Sequence, residues 1–249
     1  MESKKALYVE KLKSLERWDV FLQKESGLPG PRGNLELAQA FADVANEETI
    51  IRYLSLKPDE APNNSPKGFL AFCGVIGLGR LISDGKRDYL KQLRRFASDS
   101  RWRIREAVAM ALQIVGDADI DFLLREMKEW SKGNLFEKRA SIAALCEPRL
   151  LASSKIVSMV LEILDGVTPA IIDSKDKDKA AFEVLKKGLA YCWSVAVAAY
   201  PEKGKKLMEK WTRNEDKTVV WIMKENLKKN RLMKMDKEWV SDQLAKLNL

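Results

Sequence analysis

Asp99-Ser-Arg-Trp102-Arg-Ile104-Arg105-Glu-Ala107-Val-Ala-Met-Ala111-Leu112 is the stretch on which the fold turns. About 33 residues later the pattern returns as Glu137-Lys138-Arg139-Ala140-Ser-Ile-Ala-Ala144-Leu145. A third copy runs from Val219-Val220-Trp221 to Asn226-Leu227 and keeps the eight-residue step that separates Ile104 from Leu112. Within each copy the apolar residues recur at helical spacing and share one face. A repeated amphipathic helix cannot bury that face alone, so neighbouring copies stack to cover it. The sequence therefore predicts an all-α fold, a solenoid or α-α superhelix of about five to six helical pairs. The small side chains of Ala107, Ala111, Ala140, Ala143 and Ala144 let helices approach, and Leu112 and Leu145 fill the space between layers.

Outward from this stretch, helical periodicity covers residues 3–25, 35–44 and 47–55. In the first of these, Leu7, Leu12, Leu15, Trp18 and Leu22 make one stripe. Ser26-Gly-Leu-Pro-Gly-Pro-Arg-Gly-Asn34 and Lys57-Pro-Asp-Glu-Ala-Pro-Asn-Asn-Ser-Pro66 break the pattern. From Lys67 the expected helices pair: 67–82 with 86–97, 101–115 with 120–131, 135–146 with 155–164, 179–200 with 201–212, and 217–229 with 237–247. This divides the chain into an N-terminal part, 1–66, with two Pro/Gly-rich loops, and a repeat region, 67–249, within one continuous domain. Gly116-Asp117 and Glu147-Pro148 read as helix ends, Asp99 and Asp216 as N-caps, and Pro201 as a first helical residue. Asp173 to Asp178 reads as an exposed loop. Gly74, Gly77 and Gly79 follow no strand and stand in the wrong order for a dinucleotide fingerprint, so they read as packing glycines.

Composition removes several kinds of chemistry. The 249 residues carry a formal charge of +8 and contain no histidine. The commonest general base and transition-metal ligand is thus missing, which excludes Ser-His-Asp and Cys-His catalysis. Cys73, Cys146 and Cys192 are far apart in apolar runs and read as buried free thiols, with no zinc spacing. No cofactor motif, phosphate loop or metal cluster is visible. Met1-Glu-Ser-Lys-Lys is polar, and the apolar run Gly68–Leu81 reads as too short for a bilayer. A cytoplasmic protein without a membrane or metal partner is expected.

Asp99, Trp102, Ile104, Arg105, Ala107, Ala111 and Leu112 resemble the HEAT-repeat family, whose helices follow a D-x-x-W-x-V-R-x-x-A form. The resemblance spans roughly residues 67 to 247 and implies a scaffold that binds proteins or nucleic acids. Ser100-Arg-Trp102-Arg-Ile-Arg105 is also similar to a segment of the HEAT-like DNA glycosylases that excise alkylated bases, where tryptophan and arginine stand three apart. Those enzymes carry a Trp-Asp-x-Val-Asp motif on the preceding repeat. Here that region reads Phe72-Cys-Gly-Val-Ile-Gly and holds no carboxylate. The resemblance therefore implies glycosylase activity only as an alternative.

Positive charge is clustered in two places. From Arg80 to Glu106, nine basic residues face Asp84, Asp88, Asp99 and Glu106, a net of +5. Arg87, Lys91, Arg94 and Arg95 fall on one helical face, opposite Leu90, Leu93 and Ala97. Arg101, Arg103 and Arg105 flank Trp102, whose indole could stack on a base while the guanidiniums take phosphates. From Lys203 to Lys234, eleven basic residues face five acids when Glu202 is included, a net of +6. Lys224, Lys228 and Arg231 share a face there. These side chains are the expected contacts to an anionic partner, nucleic acid or an acidic protein, and a solenoid could align both clusters along one trough.

Overall fold

The computed structural model describes residues 3–175 and 179–247. The expected loop Asp173–Asp178 lies outside the described residues at positions 176–178, and Asp173 itself ends a short helix. Among the described residues the regular structure is entirely helical. The chain divides into two compact units, Met1–Asp119 and Ile120–Leu249. Residue 67, the expected start of the repeats, falls inside the first.

The first unit contains α1 (Lys4–Lys13), α2 (Asp19–Lys24), α3 (Leu35–Val44), α4 (Glu47–Leu54), α5 (Pro66–Ser83), α6 (Tyr89–Phe96) and α7 (Trp102–Ala118). Helix α5 is its centre and packs against α2, α3, α4, α6 and α7. Ser65 caps it by accepting from the Gly68 amide at 2.9 Å, and Pro66 occupies the first turn, where its missing N–H costs nothing. Its 18 residues have the length and apolarity of a membrane span, more than the sequence reading allowed, but 78% of them are buried inside the unit. The glycines explain how so many neighbours fit. A Cβ on Gly74 would lie 2.9 Å from the Tyr53 Cβ, one on Gly77 2.7 Å from Ile50 Cγ1, and one on Gly79 2.4 Å from the Ala111 carbonyl oxygen. Helices α4 and α7 thus approach α5 at backbone distance. Gly85, at φ 98°, terminates α5: the Lys86 amide donates to Leu81 and the Gly85 amide to Ile82, the Schellman pattern.

The second unit contains α8 (Ile120–Trp130), α9 (Leu135–Leu145), a 3-10 turn (Pro148–Leu150), α10 (Ser154–Val167), α11 (Pro169–Asp173), α12 (Ala180–Ala199), α13 (Pro201–Thr212), α14 (Lys217–Leu227), α15 (Asn230–Met235) and α16 (Lys237–Leu247). Helix α12 is the spine, packed against α9, α10, α13, α14 and α15. Buried Asn226 clamps α14 to it, accepting from the Ser194 amide at 2.8 Å and donating to the Leu189 carbonyl at 2.9 Å. Trp193 is fully buried and donates to Thr168 Oγ1 at 3.1 Å. Asp216 caps α14, accepting from Thr218 and Val219, and Asn134 with Glu137 forms a capping box on α9.

The repeated positions that opened the sequence reading are core. Ile104, Ala107, Ala111, Leu112, Ala140, Ala144, Leu145, Val219 and Leu227 are all at most 1% exposed. Four local expectations are corrected. Residues 3–25 are two helices, because the Trp18 indole donates to the Leu12 carbonyl at 2.8 Å and closes α1. Leu7, five residues and so about 140° round α1 from the buried Leu12, lies off the stripe and is 55% exposed. Helix α7 does not stop before Gly116 but continues to Ala118, with the Asp119 amide bonded to Val115 at 2.8 Å. Asp99 is not an N-cap: its carboxylate binds Arg101, which holds the N-cap position without a side-chain cap bond. Helices α11 and α15 are five and six residues long, too short to produce a periodic signal.

Gly79→Ala should destabilise the first unit by about 1–3 kcal/mol, since the added methyl meets Ala111 backbone and no flexible side chain. Gly166→Ala, with nothing within 4 Å of the new Cβ, should instead stabilise by about 0.4–1 kcal/mol. Chemical denaturation of the two variants beside the parent checks both signs.

Candidate functional site

The start of α7 gathers most of the chemistry of the first unit. Arg101 is 5% exposed. Its Nε and Nη2 donate to the two oxygens of Asp99 at 3.0 and 2.9 Å, and Nη1 donates to the carbonyls of Leu56 and Ala61 at 3.1 and 3.2 Å. A guanidinium in this position is a staple between α7 and the loop after α4. Arg103, 7% exposed, donates through Nη2 to the Gly30 carbonyl at 2.7 Å and to Asn64 Oδ1 at 3.2 Å, while its amide donates to Asn63. Arg105 is half-buried and donates to the carbonyls of Asp99 and Ser100. The expected partner contacts Arg101 and Arg103 therefore turn inward. The physical reason is that backbone carbonyls in the two Pro/Gly-rich loops need donors, and these arginines supply them.

The α6 face stays outside. Leu93 is buried, while Arg87, Lys91 and Arg95 are exposed and Arg94 is half-buried. Arg87 pairs with Asp119 at 3.0 Å across an exposed surface. Lys91 and Arg95 are in no ion pair among the described residues. Upstream, Lys86 and then the Tyr89 hydroxyl hold the Glu47 carboxyl below its usual range, so Lys86 is neutralised within the unit.

Next to Arg103 a cleft of roughly 360 Å³ opens between α3, α5, α7 and the loop 26–34. Leu28, Pro31, Leu35, Phe69, Phe72 and Trp102 form its apolar walls, and Arg32, Arg103 and Glu106 supply the charges. Phe69 and Phe72 stack with centroids 6.0 Å apart. Trp102 is 42% exposed, with the Arg103 guanidinium carbon 4.3 Å from its ring centroid. Glu106 stands one turn beyond Trp102. In the sequence it counts only as a counter-charge, although its i,i+4 step from Trp102 is legible there.

The second unit carries two exposed cation–aromatic pairs of its own. Trp221 and Tyr191 are exposed, with Lys186 Nζ 4.7 Å from the Trp221 centroid and the Arg231 guanidinium carbon 4.6 Å from that of Tyr191. Arg231 also donates to the Tyr191 hydroxyl at 2.8 Å. Lys228 is exposed and pairs with Glu225 at 2.5 Å; Lys224 is half-buried and in no ion pair among the described residues. Of the seven tryptophans only Trp102 and Trp221 are exposed. Trp211 and Trp239 are buried against the carboxylates of Asp165 and Glu209, both at 2.7 Å. Lys186, Tyr191 and Trp221 are not among the residues expected as partner contacts.

Among the described residues no group of three or more Cys, Asp or Glu side chains could hold a metal ion. Burial pushes the Cys73 and Cys146 thiols well above their ordinary range, away from the thiolate a nucleophile needs. Compared with known families, curated proteins and solved structures, the chain matches none.

Arg101→Ala should cost about 3–5 kcal/mol of stability, because it strands a buried Asp99 carboxylate and two loop carbonyls. Arg95→Ala, from an exposed site, should change stability by no more than about 0.5 kcal/mol. Urea midpoints for the two variants separate the stapling arginine from the surface one.

Proposed function

We propose that this chain is a non-catalytic binding scaffold, a HEAT-like superhelix of stacked helical pairs, whose anionic partner is nucleic acid. The architecture draws support from helices that pack in series within each unit, α1–α3–α5–α7 in the first and α9–α12–α14 in the second, with shorter partners alongside. The observation that carries the partner is the two exposed cation–aromatic pairs of the second unit. Two exposed rings, Trp221 and Tyr191, each have a cation over them, Lys224 follows on the Trp221 helix, and Lys228 caps its end. Exposed aromatic faces beside cations suit stacked bases and phosphates, whereas an acidic protein needs the charge but not the rings. Lys91 and Arg95 on α6 add phosphate contacts in the first unit.

The competing reading, excision of alkylated bases, has no acid in Phe72–Gly77, a stretch buried within α5. Release of free base from alkylated DNA is the assay that would revive it.

Binding to labelled single-stranded and duplex oligonucleotides should weaken steeply with salt. Replacing Lys91 and Arg95 by alanine should lower the slope of log K against log salt by about 2, and Trp221→Ala should cost about 1–3 kcal/mol with the slope unchanged. No binding at about 50 mM salt contradicts the nucleic-acid reading; polyglutamate binding in its place would assign an acidic protein.

A further inference from the structure

We propose that the cleft at the start of α7 is a nucleotide site, taking a base against its aromatic walls and a phosphate on Arg32 and Arg103. It goes beyond strand binding along the charged faces and needs neither α6 nor the second unit.

The volume, roughly 360 Å³, lies at the small-ligand end of the range for binding pockets, about 300–1,000 Å³. Phe69, Phe72 and Trp102 offer ring surface, and Trp102 keeps 42% of its area open. Such walls accept the faces of a planar heterocycle whatever its pattern of donors and acceptors.

The charges narrow the class. Two guanidiniums and one carboxylate line the space, a surplus of one positive charge, so the ligand is an anion. Arg103 is more than nine-tenths buried in this wall and cannot shed its proton. Its Nη2 is occupied, but Nε is buried with no acceptor among the described residues. Nε is sealed from the cleft, so the guanidinium acts on a ligand there through its charge, which burial leaves poorly screened. Arg32 projects from the loop 26–34, is exposed, and forms no ion pair among the described residues. A planar guanidinium fork matches phosphate oxygens in pairs, which a lysine could not do.

Glu106 accounts for the remaining polarity. Its carboxylate has a partner within the protein and keeps further acceptor sites, which suit a ligand that brings N–H donors. An amino-bearing base offers them at one edge while its phosphate lies on the arginines. Ring, amino edge and phosphate together describe an adenine, cytosine or guanine nucleotide. A free mononucleotide and a nucleotide exposed on a strand share this chemistry.

Titration calorimetry with AMP, CMP and GMP tests the site on the full-length protein. Saturable binding is expected, at least about ten-fold tighter than for the matching nucleosides, which lack the phosphate. Arg32→Glu and Trp102→Ala should each weaken it about ten-fold or more, with far-UV circular dichroism and melting temperature unchanged for Arg32→Glu. An oligomer carrying one cytosine among abasic positions separates the sources: tighter binding than CMP assigns a strand nucleotide, weaker binding a free one. Exchanging Lys91 and Arg95 for glutamate should leave CMP affinity untouched, so the cleft and the strand-binding face stand or fall separately. Absence of saturable binding by all three monophosphates up to about 5 mM overturns the proposal, as does binding that neither Arg32→Glu nor Trp102→Ala alters.

Discussion

Two buried guanidiniums at the first turn of α7 hold the first unit's site in place. Arg101 makes two bonds to Asp99 and two to carbonyls in the loop after α4, and Arg103 reaches the carbonyl of Gly30. Ordering a loop residue costs about 1–2 kcal/mol in backbone entropy, and the arginines add to internal bonds such as Asn34 to Ser26 and Ala61 to Lys57 in offsetting that. Hydrogen bonds to a charged donor contribute about 1.5–3 kcal/mol each, enough to fix a few such residues apiece. Leu28, Pro31, Arg32 and Gly33 then face Phe69, Phe72 and Trp102 across the cleft. Without the arginines the cleft would lose one wall.

A second constraint sets where that turn of α7 lies. Gly79 admits the Ala111 backbone to a distance no side chain would permit, so α7 rests directly on α5. The exposed Trp102 and the buried Arg101 and Arg103 are thus positioned by packing elsewhere on the same two helices. Trp102 and the arginines on either side of it differ in exposure because the first turn of a helix faces its neighbours on one side and solvent on the other.

Helix identity and several helix ends could be read from the sequence, since the apolar repeat is the core and Asp216 and Pro201 mark starts, whereas the caps Ser65 and Asn134 came only with the structure. The chemistry of the arginines could not. The carbonyls that bind Arg101 and Arg103 lie 40, 45 and 73 residues away, and a carbonyl leaves no mark in a sequence. The cleft escaped for the same reason, as its walls come from three separate segments. Short helices such as α11 and α15, and the break that Trp18 imposes on α1, depend on single tertiary contacts or capping bonds. What charge clustering did indicate was the α6 face, where Leu93 inside and Lys91 and Arg95 outside follow the helical period. Arg87 and Lys228 are already paired on exposed surfaces, and such pairs contribute about 0–1 kcal/mol, so a polyanion can displace their carboxylates at small cost.

Arg101 holds the protein together, whereas Arg95 is placed to meet a partner. Phenylglyoxal labelling of the native chain, read by mass spectrometry with and without a saturating oligonucleotide, tests that division residue by residue. Arg101 should stay unlabelled in both samples, while Arg95 should react in the free protein and be protected by the oligonucleotide. Labelling of Arg101 in the free protein, or equal labelling of Arg95 with and without the oligonucleotide, would contradict the account.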